Sequence, residues 1–123
     1  MNKTVLIVDD DEGILDALSL VIATAGYTVI ATVKGEEAYE TAKKQRPDII
    51  LLDVLLSGSN GRDICEQLKK DDITKYIPVL MISAHPSGMT RAFACGADDF
   101  LAKPFDVDVL LEKVQQGLCI KHS

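Results

Sequence analysis

Val5-Leu6-Ile7-Val8-Asp9-Asp10-Asp11-Glu12 is the stretch that decides the fold. An apolar run with no alternating polar face belongs to a strand covered on both sides, and such strands occur in parallel sheets sandwiched between crossover helices. Comparable runs recur at residues 27–33, 49–52, 79–82 and 100–102; the first of these alternates most and the last is the shortest. Helical periods separate them. Ile14, Leu18, Val21, Ile22 and Ala25 form one apolar stripe that Gly26 stops. Val107, Leu110, Leu111, Val114 and Leu118 form another, opened by Asp106 as a cap. Residues 35–45, 62–70 and 87–95 supply the middle helices, and Ser57-Gly58-Ser59-Asn60-Gly61 is loop chemistry. The expectation is an α/β domain: a doubly wound, five-stranded parallel sheet, (βα)5, with helices on both faces.

Length and composition agree with that architecture. The 123 residues suffice for one domain with a real core. The tail after Leu118 is too short for an output module, so residues 1–123 are expected to be a single domain. A net charge of −6 would repel nucleic-acid backbones and anionic membranes, and neither is expected as a partner. No apolar run approaches the roughly 20 residues that span a bilayer. Met1-Asn2-Lys3-Thr4 leads directly into a strand and does not read as a targeting segment. Cys65, Cys95 and Cys119 lack any metal-binding or redox spacing. They read as reduced thiols in a cytoplasmic protein, with Cys65 and Cys95 serving as small buried hydrophobes.

In a doubly wound sheet, ligands sit at the carboxyl ends of the strands. Here the first strand ends in Asp9, Asp10 and Asp11, the third in Asp53 and the fourth in Ser83, while the fifth runs into Lys103-Pro104. Carboxylates brought together raise one another's pKa unless a cation sits among them. Mg²⁺ (or Mn²⁺) suits that need, because it takes oxygen ligands from one or two carboxylates and from phosphate. Asp53 then has the character of a nucleophile, Lys103 of a second cation for a phosphoryl oxygen, and Ser83 of a hydroxyl donor. Taken singly, each residue has a plainer reading: Asp11 and Glu12 as helix caps, Ser83 as a turn hydroxyl, Lys103 as a solvated lysine. Their joint occurrence at four strand ends favours the chemical reading.

In order along the chain, Val5 to Glu12, Arg46-Pro47-Asp48-Ile49-Ile50-Leu51-Leu52-Asp53 with Gly61, Val79 to Ala84, and Gly96-Ala97-Asp98-Asp99-Phe100-Leu101-Ala102-Lys103-Pro104-Phe105 resemble the receiver domains of two-component response regulators. The resemblance implies a flavodoxin-like fold like that of the chemotaxis regulators. It also implies a phosphorylation-dependent switch that is not an enzyme beyond self-catalysed phosphorylation and dephosphorylation. On that basis Asp53 would accept a phosphoryl group from a histidine kinase or phosphotransfer protein. Asp10, Asp53 and the Leu55 backbone carbonyl would hold Mg²⁺, with Asp9 acting mainly through water. Ser83 and Lys103 would hold the phosphoryl group, and the Lys103–Pro104 bond would be cis. Ser83 and Phe100 would switch together, read by a protein target on the face of the fourth helix, fifth strand and fifth helix. Met89, Ala92, Phe93, Val107 and Leu110 are candidates for that face or for ordinary core.

Two departures from the family pattern stand out. Ser57 replaces a frequent proline, which implies a more mobile loop. His85, together with Leu55, could govern water access to the acyl phosphate, or His85 could be an ordinary loop histidine. The rival functions are an aspartate-based, Mg²⁺-dependent phosphatase and a nucleotide or flavin module. The first typically needs an acid where Leu55 stands, and the second lacks any G-x-G-x-x-G or P-loop after the first strand.

Overall fold

The computed structural model describes residues 3–56, 59–84 and 95–119, with backbone only at 55, 56 and 59. The chain runs through β1 (Thr4–Val8), α1 (Glu12–Thr24), β2 (Thr28–Thr32), a 3₁₀ turn (Gly35–Glu37), α2 (Ala38–Gln45) and β3 (Ile49–Asp53). A short antiparallel pair follows, β4 (Leu55–Leu56) and β5 (Ser59–Asn60), then α3 (Gly61–Lys70), β6 (Val79–Ser83), β7 (Asp99–Ala102) and a C-terminal helix (Val107–Cys119).

The main sheet has the order β2-β1-β3-β6-β7 and every neighbouring pair is parallel. The chain steps outward from β1 to β2 and then returns across β1 to β3. Strand order therefore reverses at the crevice between β1 and β3, where α/β sheets bind ligands.

Burial explains why these runs became strands. All residues of β3 and β6, and Val5 to Val8 of β1, are buried, whereas the edge strands β2 and β7 are only partly so. Side chains alternate between two cores. Leu6, Val8, Ile50, Leu52, Val79 and Met81 face the layer of α2 and α3. Val5, Ile7, Ile49, Leu51, Leu80 and Ile82 face α1 and the C-terminal helix. This is the five-stranded, two-faced architecture expected from the sequence.

The differences in detail have local causes. The stripe of α1 buries Leu15, Leu18 and Ile22, and Ala25 is instead the helix cap; Gly26, at a φ of 102°, then turns the chain out of the helix. The second helix opens with the 3₁₀ turn, so its regular part starts at Ala38. Of the loop expected at residues 57–61, Ser59 and Asn60 instead form β5, paired with β4 through Leu55 opposite Asn60 and Leu56 opposite Ser59, and Gly61 opens α3. Asn60 caps α3 by accepting from the Arg62 N–H at 2.9 Å. Leu110 is fully buried core, whereas Val107 is 47% exposed. The expected helix at 87–95, with Met89, Ala92 and Phe93, lies outside the described residues except at Cys95, as do Ser57 and His85.

Candidate functional site

Each charged side chain at the sheet's carboxyl edge is delivered by an element with little freedom. β1 lies between β2 and β3, and its ladder continues past Val8 because the Asp9 N–H donates to the Thr32 carbonyl at 3.2 Å. Asp9 is thereby held almost wholly buried. Its Oδ1 accepts the Asp11 N–H at 3.0 Å, which orients the carboxylate. Asp11 turns away and caps α1, accepting the Ile14 N–H at 3.2 Å. The plainer reading of Asp11 is therefore the one observed.

Asp53 closes β3, opposite Ile82 of β6, and is also buried. The Val54 N–H donates to the Ile82 carbonyl at 3.0 Å and extends the ladder beyond it. One oxygen each of Asp9, Asp10 and Asp53 lie within 4.8 Å of one another. At such spacing each pair of carboxylates repels by about 3 kcal/mol at an effective dielectric near 20.

Lys103 answers part of that repulsion. Its ammonium lies 3.4 Å from Asp9 Oδ2 and 3.5 Å from Asp53 Oδ2. It arrives there because β7 pairs with β6, Ser83 opposite Ala102, and the Lys103 N–H donates to the Ser83 carbonyl at 2.9 Å. The Lys103–Pro104 peptide is cis, as the resemblance implies. Three carboxylates outnumber this ammonium by two charges, the deficit that a divalent cation would fill. Hard carboxylate oxygens so spaced are the ligand set that Mg²⁺ or Mn²⁺ takes.

The remaining candidates fall around this centre. Ser83, buried at the end of β6, adjoins the backbone of Lys103. Leu55 begins the hairpin two residues beyond Asp53. Phe100 is 7% exposed and packs in the core beneath α3, with Cys65, Cys95 and Ala97. Cys65 and Cys95 are buried thiols outside any disulfide, and Cys119 is an exposed one. Beside Lys103, an apolar recess of about 410 Å³ is lined by Ile14, Ala84, Lys103, Pro104 and Phe105. This recess has no signature in the sequence, since its walls come from three separate parts of the chain.

The response regulator receiver domain family model matches residues 5–115. Among curated proteins, the DNA-binding dual master transcriptional regulator RpaA of Synechocystis is 40% identical over 113 residues, covering 90% of this chain and 47% of that protein. The alkaline phosphatase synthesis transcriptional regulatory protein PhoP of Bacillus subtilis is 38% identical, over 85% of this chain and 44% of its own. The chain thus spans about half the length of these curated relatives. Among solved structures, a Chloroflexus aurantiacus protein assigned to the response regulators superposes with a TM-score of 0.93 at 38% identity, covering 98% of this chain and 100% of the other. The chemotaxis protein CheY4 of Vibrio cholerae gives 0.87 at 31% identity, covering 94% and 98%.

Proposed function

The chain belongs to the response regulator receiver domain family of phosphorylation-dependent two-component signalling, and on that premise we propose that Asp53 is its phosphoryl acceptor. The observation that carries the proposal is the convergence of Asp9, Asp10, Asp53 and Lys103 within a few ångströms at the sheet's switch point. A donor of the phosphohistidine class fits, from a sensor kinase or a phosphotransfer protein. The apolar recess beside Lys103 would seat the donor protein and bring its phosphorus to Asp53.

In the step, an oxygen of the Asp53 carboxylate attacks phosphorus. A P–O bond forms, the P–N bond to the donor imidazole breaks, and the electron pair leaves with the imidazole nitrogen, which takes up a proton. Mg²⁺, held by Asp10, Asp53 and the Leu55 carbonyl with Asp9 close by, would supply charge neutralisation for the incoming phosphoryl oxygens. The Lys103 ammonium is already poised over both carboxylates. As the Asp53 charge is used in the new bond, Lys103 turns to a phosphoryl oxygen, and the Ser83 hydroxyl donates to another.

Those two movements are the switch. Ser83 and Lys103 sit at the ends of adjacent strands, and Phe100 lies on one of these strands. A shift of Ser83 toward the phosphoryl group changes the space available to the Phe100 ring. The inward Phe100 described above would be one of its two states. Phe100 has no hydroxyl, so its states differ by packing alone. The changed face formed by β7, the C-terminal helix and the segment preceding β7 would be read by a protein target. Leu55 and His85 would tune how readily water cleaves the acyl phosphate.

Residues 1–123 are read as one receiver unit, a reading supported by the five-stranded main sheet, whose strands are drawn from residues 4 to 102, and by the family match over residues 5–115. A switch of this kind is not an enzyme with a released product. Its thiols lie outside any disulfide, which fits a cytoplasmic setting, and among the described residues no helix is long and apolar enough to cross a membrane. The test is incubation with a small acyl phosphate and Mg²⁺, read by intact mass. A single phosphoryl adduct on the wild type, absent from Asp53→Asn, supports the proposal. Multiple-turnover release of phosphate from unrelated phosphate esters would favour the phosphatase reading instead.

A further inference from the structure

Among the described strands, β7 is a four-residue edge strand with β6 as its one neighbour, yet it must deliver Lys103 to within about 3.5 Å of two carboxylates. Ladder bonds hold β7 on one side alone, and a slip of one residue would send each β7 side chain to the opposite face. What holds the start of this strand therefore bears on where its end lies.

Asp98 immediately precedes β7 and grips Val79, the first residue of β6, at two points. Its N–H donates to the Val79 carbonyl at 2.9 Å, and its Oδ2 accepts the Val79 N–H at 2.8 Å. The same Oδ2 receives the Lys69 ammonium at 2.7 Å. Lys69, at the end of α3, also donates to the Ile77 carbonyl at 2.7 Å and to the Lys75 carbonyl at 3.5 Å. All three N–H bonds of Lys69 are thereby directed at acceptors, with its side chain only 15% exposed. The clamp joins α3, the segment leading into β6, and the first residue of β6 to the start of β7. From there the ladder runs Leu80–Asp99 to Ser83–Ala102 and ends with the Lys103 N–H on the Ser83 carbonyl.

The geometry points to Asp98 and Lys69 as positioning residues for Lys103: a charged clamp at one end of β7 that sets the register delivering the ammonium at the other. The inference rests on the proposed role of Lys103 and assigns no contact with the phosphoryl group to either residue.

Its test separates register from general stability. Asp98→Ala, Asp98→Asn, Lys69→Met and Lys69→Arg are compared with the wild type below their melting temperatures. Labelling by a small acyl phosphate at saturating Mg²⁺ is followed by intact mass, and Mg²⁺ affinity by calorimetry. Misplacement of a reacting group by about 1 Å can cost on the order of a hundredfold in rate. The expected result is labelling slowed about tenfold or more in Asp98→Ala and Lys69→Met, with Mg²⁺ affinity equal or higher because the acids lose a competing ammonium. Asp98→Asn, which keeps an acceptor for the Val79 N–H, and Lys69→Arg recover most of the rate. Unchanged labelling in all four variants, or Mg²⁺ affinity falling in step with labelling, overturns the clamp. Should Asp98→Ala fail to fold, the Asp98→Asn and Lys69→Met arms decide between the same two outcomes. Failure of the wild type to label would overturn the proposed function itself, a result distinct from wild-type labelling that the variants leave unaltered.

Discussion

Gly61 stands directly against the backbone of Asp53: a Cβ built on it would lie 2.3 Å from the Asp53 carbonyl oxygen and 2.8 Å from the Val54 Cα. The Gly61 N–H also donates to the Val54 carbonyl at 2.9 Å, so the start of α3 closes over the residues that leave β3. Any side chain at this position must push either the helix or the proposed acceptor strand.

Gly61→Ala is accordingly expected to destabilise the fold by about 1–3 kcal/mol, the usual cost of forcing extra atoms into a packed interior. Because the displaced atoms belong to Asp53 and Val54, labelling by an acyl phosphate should slow as well. Thermal melting and intact-mass kinetics on the same variant check both effects; an unchanged melting temperature with full labelling would contradict the contact.

Divalent cations should stabilise the protein measurably. Ligand binding only the folded state contributes about 2.7 kcal/mol at a concentration of 100 times Kd, so the melting temperature should rise with Mg²⁺ and cease to do so in Asp10→Asn. Lys103→Met should have the opposite effect on affinity. With the ammonium 3.4 Å from Asp9 gone, Mg²⁺ is expected to bind about tenfold more tightly, a change of about 1.4 kcal/mol, while labelling slows. Calorimetry on both variants distinguishes them, and a loss of Mg²⁺ affinity in Lys103→Met would refute the competition.

A second charged cluster should contribute to the pH dependence of stability. The Tyr39 hydroxyl donates to Asp71, and Lys43 lies 3.8 Å from the same carboxylate and 5.1 Å above the Tyr39 ring. The Tyr39 hydrogen bond, followed by the Ile73 N–H, holds the Asp71 carboxyl below its ordinary 3.8, while Asp71 pushes Tyr39 above its ordinary 10.0. A lowered folded pKa at Asp71 gives stability that is complete above its unfolded value and lost as pH falls through the folded one. A raised folded pKa at Tyr39 gives stability that is complete below its unfolded value and lost as pH rises through the folded one. Melting temperature should therefore decline on both limbs, below about pH 4 and above about pH 10. Tyr39→Phe should flatten both declines, as followed by circular dichroism across pH; unaltered limbs would dissociate the cluster from the profile.

The thiols should separate by reactivity. Burial, then the neighbouring Cys95 thiol, pushes Cys65 far above its ordinary 9.0, so little thiolate forms at neutral pH. Cys119 is exposed at the end of the last helix. Alkylation read by mass should modify Cys119 first and leave Cys65 and Cys95 protected until the protein unfolds. Early loss of the Cys65 thiol in the folded state would show that α3 opens readily.

Much of this could be read along the chain. The run Val5 to Val8 followed by acids, the matching run into Asp53 and the segment leading to Lys103 identified a parallel sheet and its charged edge. Fully buried strands leave a local, unbroken apolar record. The edge strand β2 was harder to bound because its residues are only partly buried, and its ends shrank by one residue on each side. The antiparallel pairing of β4 with β5 escaped because a stretch rich in glycine, serine and asparagine also describes an open loop.

By itself the sequence determined the layer architecture, the alternation of cores and the identity of the groups available for chemistry, because apolar periodicity and residue type are short-range properties. Only the tertiary structure decided which strands became neighbours, and hence that Asp9, Asp10, Asp53 and Lys103 meet. It alone decided that Phe100 lies inward and that Lys69 reaches Asp98, 29 positions away. Strand order and cross-element charge pairing are settled by how whole layers pack, and no local stretch of chain carries that information.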